Sequence, residues 1–154
     1  MVIRVQEAAF ELGAELDAMR AGRTDMGAIV SFLGTVRDLH DGLSVHALTL
    51  EHYPGMTEAA LAEIVEQAYE RWRLLDVRVI HRVGRLLPSD PIVLVAVSSA
   101  HRGDAFAACE FVMDWLKTKA PFWKKEETSA GTRWVEARAT DDEAAARWEL
   151  GSGV

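Results

Sequence analysis

Residues 92–119 read IVLVAVSSAHRGDAFAACEFVMDWLKTK, and they combine a strand with a helix. The opening run, IVLVAV, is continuously apolar, which predicts a central β-strand covered on both faces, because a half-exposed strand would alternate apolar and polar residues. Apolar residues then recur with helical period from about Asp104, the predicted N-cap, and Pro121 predicts where this helix ends. The two elements are joined by a short turn that carries His101 and Arg102.

Outward from this stretch, the chain alternates short β-rich segments with amphipathic ones. Thr57 is the predicted N-cap of a helix whose apolar stripe runs to Trp72, and a weaker helix is predicted over residues 11–20. Further strands are predicted at residues 2–5, 27–37, 45–52 and 77–83, and two short strands are predicted around residues 129–131. A closing helical turn is predicted at residues 141–148. Hairpins mixed with helices of this length predict an α+β class.

The composition favours one globular domain. The 154 residues are 49% hydrophobic and 27% charged, and no repeat, linker or low-complexity run interrupts them, so we expect a single domain over residues 1–154. The lone Cys109 can form no internal disulfide, which indicates a reducing compartment. No segment approaches the ~20 apolar residues of a membrane span, and the N-terminus lacks the features of a signal peptide. We therefore expect a cytoplasmic protein without a membrane partner.

The distribution of positive charge indicates a local anion site. The net charge of −7 argues against general nucleic-acid binding, yet all four lysines fall within nine residues, at 117, 119, 124 and 125. Such a cluster in an acidic protein is typical either of a site for an anionic ligand or of a solvated basic turn. His101 and Arg102 precede the predicted helix, where backbone N–H groups favour an anion, although Arg102 could instead pair with a surface carboxylate.

Other side chains are weaker candidates. Met113 and Lys117 share one helix face, which places Lys117 at the edge of a partly apolar stripe. Cys109 lies within the same helix and is interpreted as a small buried hydrophobe. The histidines show no ligand spacing and no glycine-rich phosphate loop is present, so we predict neither a metal site nor a cofactor. Phe122 and Trp123 could line a pocket for a planar heterocycle or belong to the core.

Several ordered motifs together resemble the catalytic, large subunit of molybdopterin synthase. The similarity runs from about residue 26 to residue 148 without an evident gap, so it is more specific than any one motif. The matching strings are FLGTVRD (32–38), LTLEHYPGMTE (48–58), IHRVG (80–84), SSAHRGDAF (98–106), MDWLKTKAPFWKKE (113–126) and RWVEAR (133–138).

The resemblance implies a sulfurtransferase of molybdenum cofactor biosynthesis. The family adds two sulfurs, as a dithiolene, to cyclic pyranopterin monophosphate (precursor Z). Sulfur arrives as a thiocarboxylate on the C-terminal Gly-Gly of a small ubiquitin-like subunit, whose tail enters the large subunit's pocket. The family works as a heterotetramer around a dimer of large subunits and has an α/β hammerhead-type fold with mainly antiparallel sheet and flanking helices.

The resemblance also implies roles for particular positions. Lys117 and Lys124 match the active-site lysines. The other matches are the anion-binding residues Arg37, His101 and Arg102, the pocket-lining residues Phe32 and Met113, and Arg138, a basic residue assigned either to its own pocket or to the neighbouring protomer's. Two other interpretations remain open: a non-catalytic dimeric adaptor for the tail of a ubiquitin-like protein, and an anion-binding enzyme of unknown reaction.

Overall fold

The computed structural model of the chain describes residues 1–135 and 139–151. Along the chain the elements are β1 (Val2–Gln6), α1 (Leu12–Arg20), β2 (Ala28–Thr35), β3 (Leu39–His40), β4 (Leu43–His52), α2 (Met56–Arg71), β5 (Asp76–Arg82), β6 (Gly84–Leu86), β7 (Pro91–Ser99), α3 (Arg102–Lys119), β8 (Phe122–Thr128), β9 (Gly131–Val135) and α4 (Ala139–Gly151). The predicted α+β class is confirmed. In this part of the chain, no helix has the length and apolar character needed to cross a bilayer.

The first sheet has the strand order β1-β5-β7-β2. β1 and β5 are parallel, and the β5–β7 and β7–β2 pairs are antiparallel. β7 is interior to the sheet and buried from Val93 to Ser99. On one face Val95 packs beneath α2 and α3, and on the other face Leu94 packs beneath Met19 of α1. The prediction of a central strand covered on both faces is therefore confirmed.

The second sheet has the order β3-β4-β8-β9, and β6 also pairs with β4. β4 and β8 pair so that Leu50 lies opposite Lys124, and β8 and β9 form the predicted hairpin around Gly131. Gly131 has a φ of 108°, a conformation that glycine adopts without strain. Because β6 follows β5 after a single residue, Val83, the two sheets meet at this point.

Both long helices begin earlier than predicted. α3 starts at Arg102 with His101 as its N-cap, and no side chain caps it, so the prediction of Asp104 as N-cap is wrong. α2 starts at Met56 after Gly55, whose N–H donates to the Glu58 carboxylate at 2.6 Å. A glutamate three residues inside the helix satisfies this free N–H, which explains why the cap does not need the Thr57 hydroxyl.

Candidate functional site

A cavity of about 360 Å³ lies where the two sheets meet, beside the C-terminal end of α3. Three cationic side chains line it: Arg37 from the segment after β2, Lys117 from the last turn of α3, and Lys124 from β8. These residues come from three separate segments of the chain, and the fold brings them together where α3, which packs on the first sheet, ends beside the second. Glu126 and Asp141 also line the cavity, so three cations face two carboxylates, and the excess of positive charge favours an anionic ligand.

Strand alternation determines which lysines reach the cavity. Successive residues of β8 point to opposite faces of the sheet, so Phe122, Lys124 and Glu126 line the cavity while Lys125 lies on the other face. The ammonium of Lys125 lies 5.6 Å from the centre of the Trp134 ring. The four-lysine cluster therefore divides: two lysines line the cavity and two do not.

Lys119 is the fourth member of the cluster. Its ammonium lies 5.3 Å from the centre of the Trp115 ring, and its side chain is exposed at the end of α3. Lys119 therefore fits the solvated interpretation of the basic cluster. Lys117, only two residues away, lines the cavity, and its role in an anion site stays a prediction.

His101 and Arg102 lie at the opposite end of α3 from Lys117. Both are exposed, and neither lines the cavity. Lys117 follows Arg102 by fifteen positions in the helix, which corresponds to about 22 Å along the axis. One copy of the chain therefore does not bring Arg37, His101 and Arg102 into a common phosphate site, and their shared role stays a prediction.

Phe32 and Met113 do not line the cavity either. Phe32 is 40% exposed on β2, an edge strand of the first sheet, and Met113 is buried in the main hydrophobic core. Arg138 lies outside the described residues. The predicted pocket-lining roles of Phe32 and Met113 are therefore not seen in a single copy of the chain.

A carboxylate and histidine pair in the cavity wall is absent from the sequence-based predictions. Glu126 is only 7% exposed, and its Oε1 accepts a hydrogen bond from His40 Nδ1 at 2.6 Å. Arg133 donates to Glu126 Oε2 from Nε and Nη2 at 3.2 and 3.1 Å. Because Arg133 balances its charge, Glu126 does not cancel the positive charge of the cavity lysines. Glu126 lies two residues after Lys124, so strand alternation could have predicted that both side chains face the cavity. No local sequence pattern indicated that His40 would lie there.

His81 is a second cavity residue that motif spacing missed. It is 4% exposed at the end of β5 and stacks on Phe122, with ring centres 3.8 Å apart and planes 17° from parallel. Burial lowers the pKa of His81 to about 3, and the positive charges of Lys117 and Lys124 act in the same direction, outweighing a backbone contact at Arg82 that raises it. The imidazole is therefore neutral at physiological pH.

Cys109 is unsuited to carry sulfur. It lies within α3 at 5% exposure, and its thiol donates to the Val95 carbonyl at 3.8 Å. Burial raises the pKa of the Cys109 thiol to about 11, and the neighbouring Glu110 adds to this effect. The predicted role of a small buried hydrophobe is confirmed.

The model of the family described as MoaE protein matches residues 5–119. This chain belongs to the MoaE protein family. The matched range includes Arg37 and Lys117, and it begins well before residue 26, so the prediction that the first 25 residues fall outside the resemblance is wrong.

Individual relatives extend the MoaE similarity over nearly the whole chain. A molybdopterin synthase catalytic subunit from Ralstonia nicotianae is 66% identical over 148 residues, covering 96% of this chain and 84% of the relative. The subunit of the same name from Escherichia coli is 59% identical over 139 residues, covering 90% of this chain and 92% of the relative.

Solved structures of MoaE proteins have the same fold. A molybdopterin biosynthesis MoaE protein from Burkholderia ambifaria superposes with a TM-score of 0.83 at 59% identity, over 96% of this chain and 97% of that one. A molybdopterin synthase from Staphylococcus aureus superposes with a TM-score of 0.79 at 33% identity, over 86% of this chain and 95% of that one.

Proposed function

We propose that the chain is the catalytic subunit of a molybdopterin synthase. It transfers sulfur from the C-terminal thiocarboxylate of a small ubiquitin-like subunit to cyclic pyranopterin monophosphate, forming the dithiolene of molybdopterin. The observation that carries this proposal is the convergence of Arg37, Lys117 and Lys124 on one cavity in a member of the MoaE family. The substrate phosphate and the partner's terminal thiocarboxylate are both anions, and these cations attract both groups.

In this proposal the two lysines act at the reacting centre. Lys117 lies beside the thiocarboxylate carbon and stabilises negative charge, or moves a proton, as the sulfur attacks the pterin side chain. Lys124 assists from β8, the strand that follows α3. Glu126 keeps the cavity wall in place through its hydrogen bonds to His40 and Arg133.

Arg37 is the arginine that contacts the substrate phosphate within the same chain. His101 and Arg102 lie too far along α3 to reach that phosphate, so we propose that they act on the cavity of a second copy in a dimer of catalytic subunits. In a two-fold symmetric dimer each copy contacts the other through the same residues. His101 and Arg102 of each copy would then complete the cavity of the other copy, which gives two equivalent sites. The working assembly is then a heterotetramer of two catalytic and two small subunits. We place it in the cytoplasm, because a chain with a single cysteine forms no internal disulfide and is typical of a reducing compartment.

The test is molybdopterin formation from purified components. The chain, a thiocarboxylated small subunit and cyclic pyranopterin monophosphate are mixed, and product is measured. We expect turnover by the wild-type chain. Binding of the small subunit without any turnover would favour the non-catalytic adaptor instead.

Lys117→Ala and Lys119→Ala form a matched pair for the catalytic assignment. Both lysines lie in the last turn of α3, but only Lys117 lines the cavity. We expect Lys117→Ala to abolish product formation with its melting temperature unchanged, and Lys119→Ala to retain activity. Equal activity of the two variants would contradict the role given to Lys117.

A further inference from the structure

The cavity contains a neutral acceptor among charged side chains. Arg37, Lys117 and Lys124 have side chains that only donate hydrogen bonds, and Glu126 is already engaged by His40 and Arg133. Asp141 also lines the cavity, and its carboxylate is an anionic acceptor. His81 differs from all of them because its ring is neutral and buried. It lines the same cavity as Lys117 and Lys124, at the point where β5 of the first sheet contacts β8 of the second.

The tautomer of His81 follows from its hydrogen bond. Nδ1 lies 2.8 Å from the Arg82 carbonyl oxygen, which can only accept, so Nδ1 carries the ring proton. In a neutral imidazole the other nitrogen, Nε2, then holds a lone pair. Because Nδ1 is engaged with the backbone and His81 lines the cavity, Nε2 is the ring nitrogen left for a group bound there.

The neighbours of His81 hold its ring in place and keep it neutral. Stacking on Phe122 keeps the ring in its orientation, with the two planes 17° from parallel. Protonation would place a third positive charge near Lys117 and Lys124, so the ring stays an acceptor instead of becoming a donor. The position is therefore built to receive an N–H or O–H group.

We infer that His81 is a specificity-determining residue of the cavity and that its Nε2 accepts a hydrogen bond from an N–H group of the bound nitrogen heterocycle. This inference rests on the proposed function, which supplies such a substrate. The division of roles is then clear: the cations select for the phosphate, and His81 selects for the heterocycle. A phosphorylated ligand without an N–H donor contacts the cations but gains no hydrogen bond to His81.

Two variants, His81→Phe and His81→Gln, separate the contribution of the hydrogen-bond acceptor to binding from that of the aromatic ring. Phenylalanine keeps the stacking on Phe122 but has no acceptor, and glutamine supplies a carbonyl acceptor without the ring. We expect His81→Phe to bind cyclic pyranopterin monophosphate about 5- to 150-fold more weakly in calorimetric titrations, because a buried donor of the ligand loses its partner. His81→Gln should recover part of this loss, and His46→Phe, at an exposed position of β4, should bind like the wild type.

A peptide that represents the tail of the small subunit tests whether His81 Nε2 accepts a hydrogen bond from that tail instead of from the pterin. We expect a peptide ending in Gly-Gly carboxylate to bind the wild type and His81→Phe equally. If His81→Phe lowers affinity for the peptide and leaves affinity for the pterin unchanged, the inference is wrong. Equal pterin affinity of the wild type and His81→Phe also overturns it.

Nitrogen NMR on the wild-type chain gives a readout that does not depend on the folding of a variant. We expect signals of an imidazole protonated at Nδ1 and unprotonated at Nε2 from pH 5 to 8, and a shift of the Nε2 signal when the pterin binds. A proton on Nε2 in the free protein, or no shift on binding, contradicts the inference. Failure of the proposed function looks different, because the wild-type chain would then bind no pterin at all.

Discussion

Cys109→Ala tests whether sulfur passes through the catalytic chain itself. A persulfide carrier needs an accessible thiolate, and Cys109 is the only thiol in the chain. With a pKa of about 11, its thiol is ionised in roughly one molecule in 3,000 at pH 7.5, compared with roughly one in ten for an ordinary cysteine. The thiol is also 5% exposed, so a sulfur donor cannot reach it without local opening of α3.

The expected effect of Cys109→Ala is therefore on stability alone. Removing one buried sulfur atom leaves a cavity about the size of a methyl group, which costs about 1 kcal/mol in the free energy of unfolding. For a domain of this size that corresponds to a fall in melting temperature of about 2–4 °C. Molybdopterin formation with thiocarboxylated small subunit should stay close to that of the wild type at 25 °C.

The assay compares both quantities on the same preparation. Thermal unfolding gives the stability, and product formation is measured with thiocarboxylated partner and, separately, with inorganic sulfide as the only sulfur source. We expect sulfide to yield much less product than the partner does. A folded Cys109→Ala chain that binds both partner and pterin yet makes no molybdopterin would refute the reasoning and indicate a covalent sulfur intermediate on Cys109.

Three further results are expected. Arg37→Ala should weaken binding of cyclic pyranopterin monophosphate by about 10- to 150-fold, the value of one charge-assisted contact, and unchanged affinity in titrations would move the phosphate elsewhere. Mixing Arg102→Ala with Lys117→Ala chains should restore part of the activity that each variant lacks alone, and failure to do so after verified subunit exchange would exclude a role for Arg102 across the dimer. Burial alone would raise the pKa of Glu15, but hydrogen bonds from Arg4 and Arg78 outweigh it and lower that pKa, so this carboxylate stabilises the fold above its unfolded pKa. The stability advantage over Glu15→Gln in urea titrations should accordingly be full at pH 7 and shrink as the pH falls below about 4, and an advantage independent of pH would show that the carboxylate charge does not matter.

Elements with a strong local signal were predictable from the sequence. The apolar run of β7 and the helical period of α3 are properties of adjacent residues, so both elements were placed correctly to within a few positions. β3 and β6 are only two and three residues long, and their strand conformation comes from pairing with β4. Their own composition contains no such signal, which is why they were missed.

In the candidate site too, some features were predictable from local sequence and others depend on the tertiary fold. Lys117 and Lys124 were predicted because the family motif spans both, although their family roles stay untested. The contact between His40 and Glu126 joins residues 86 positions apart, and it depends on the register of β3, β4 and β8, which no local pattern encodes. The separation of Arg102 from Lys117, in contrast, follows from helix geometry alone, because the number of residues between them determines the distance along the axis.

The length of α3 makes activity depend on how much protein is present. If Arg102 at one end of the helix serves the cavity of a second copy while Lys117 at the other end serves its own, an isolated copy has no complete site. Turnover per chain would then fall on dilution, once the concentration drops below the dissociation constant of the dimer, even though every chain stays folded. A cell that makes little of this protein would lose its activity more steeply than it loses the protein itself.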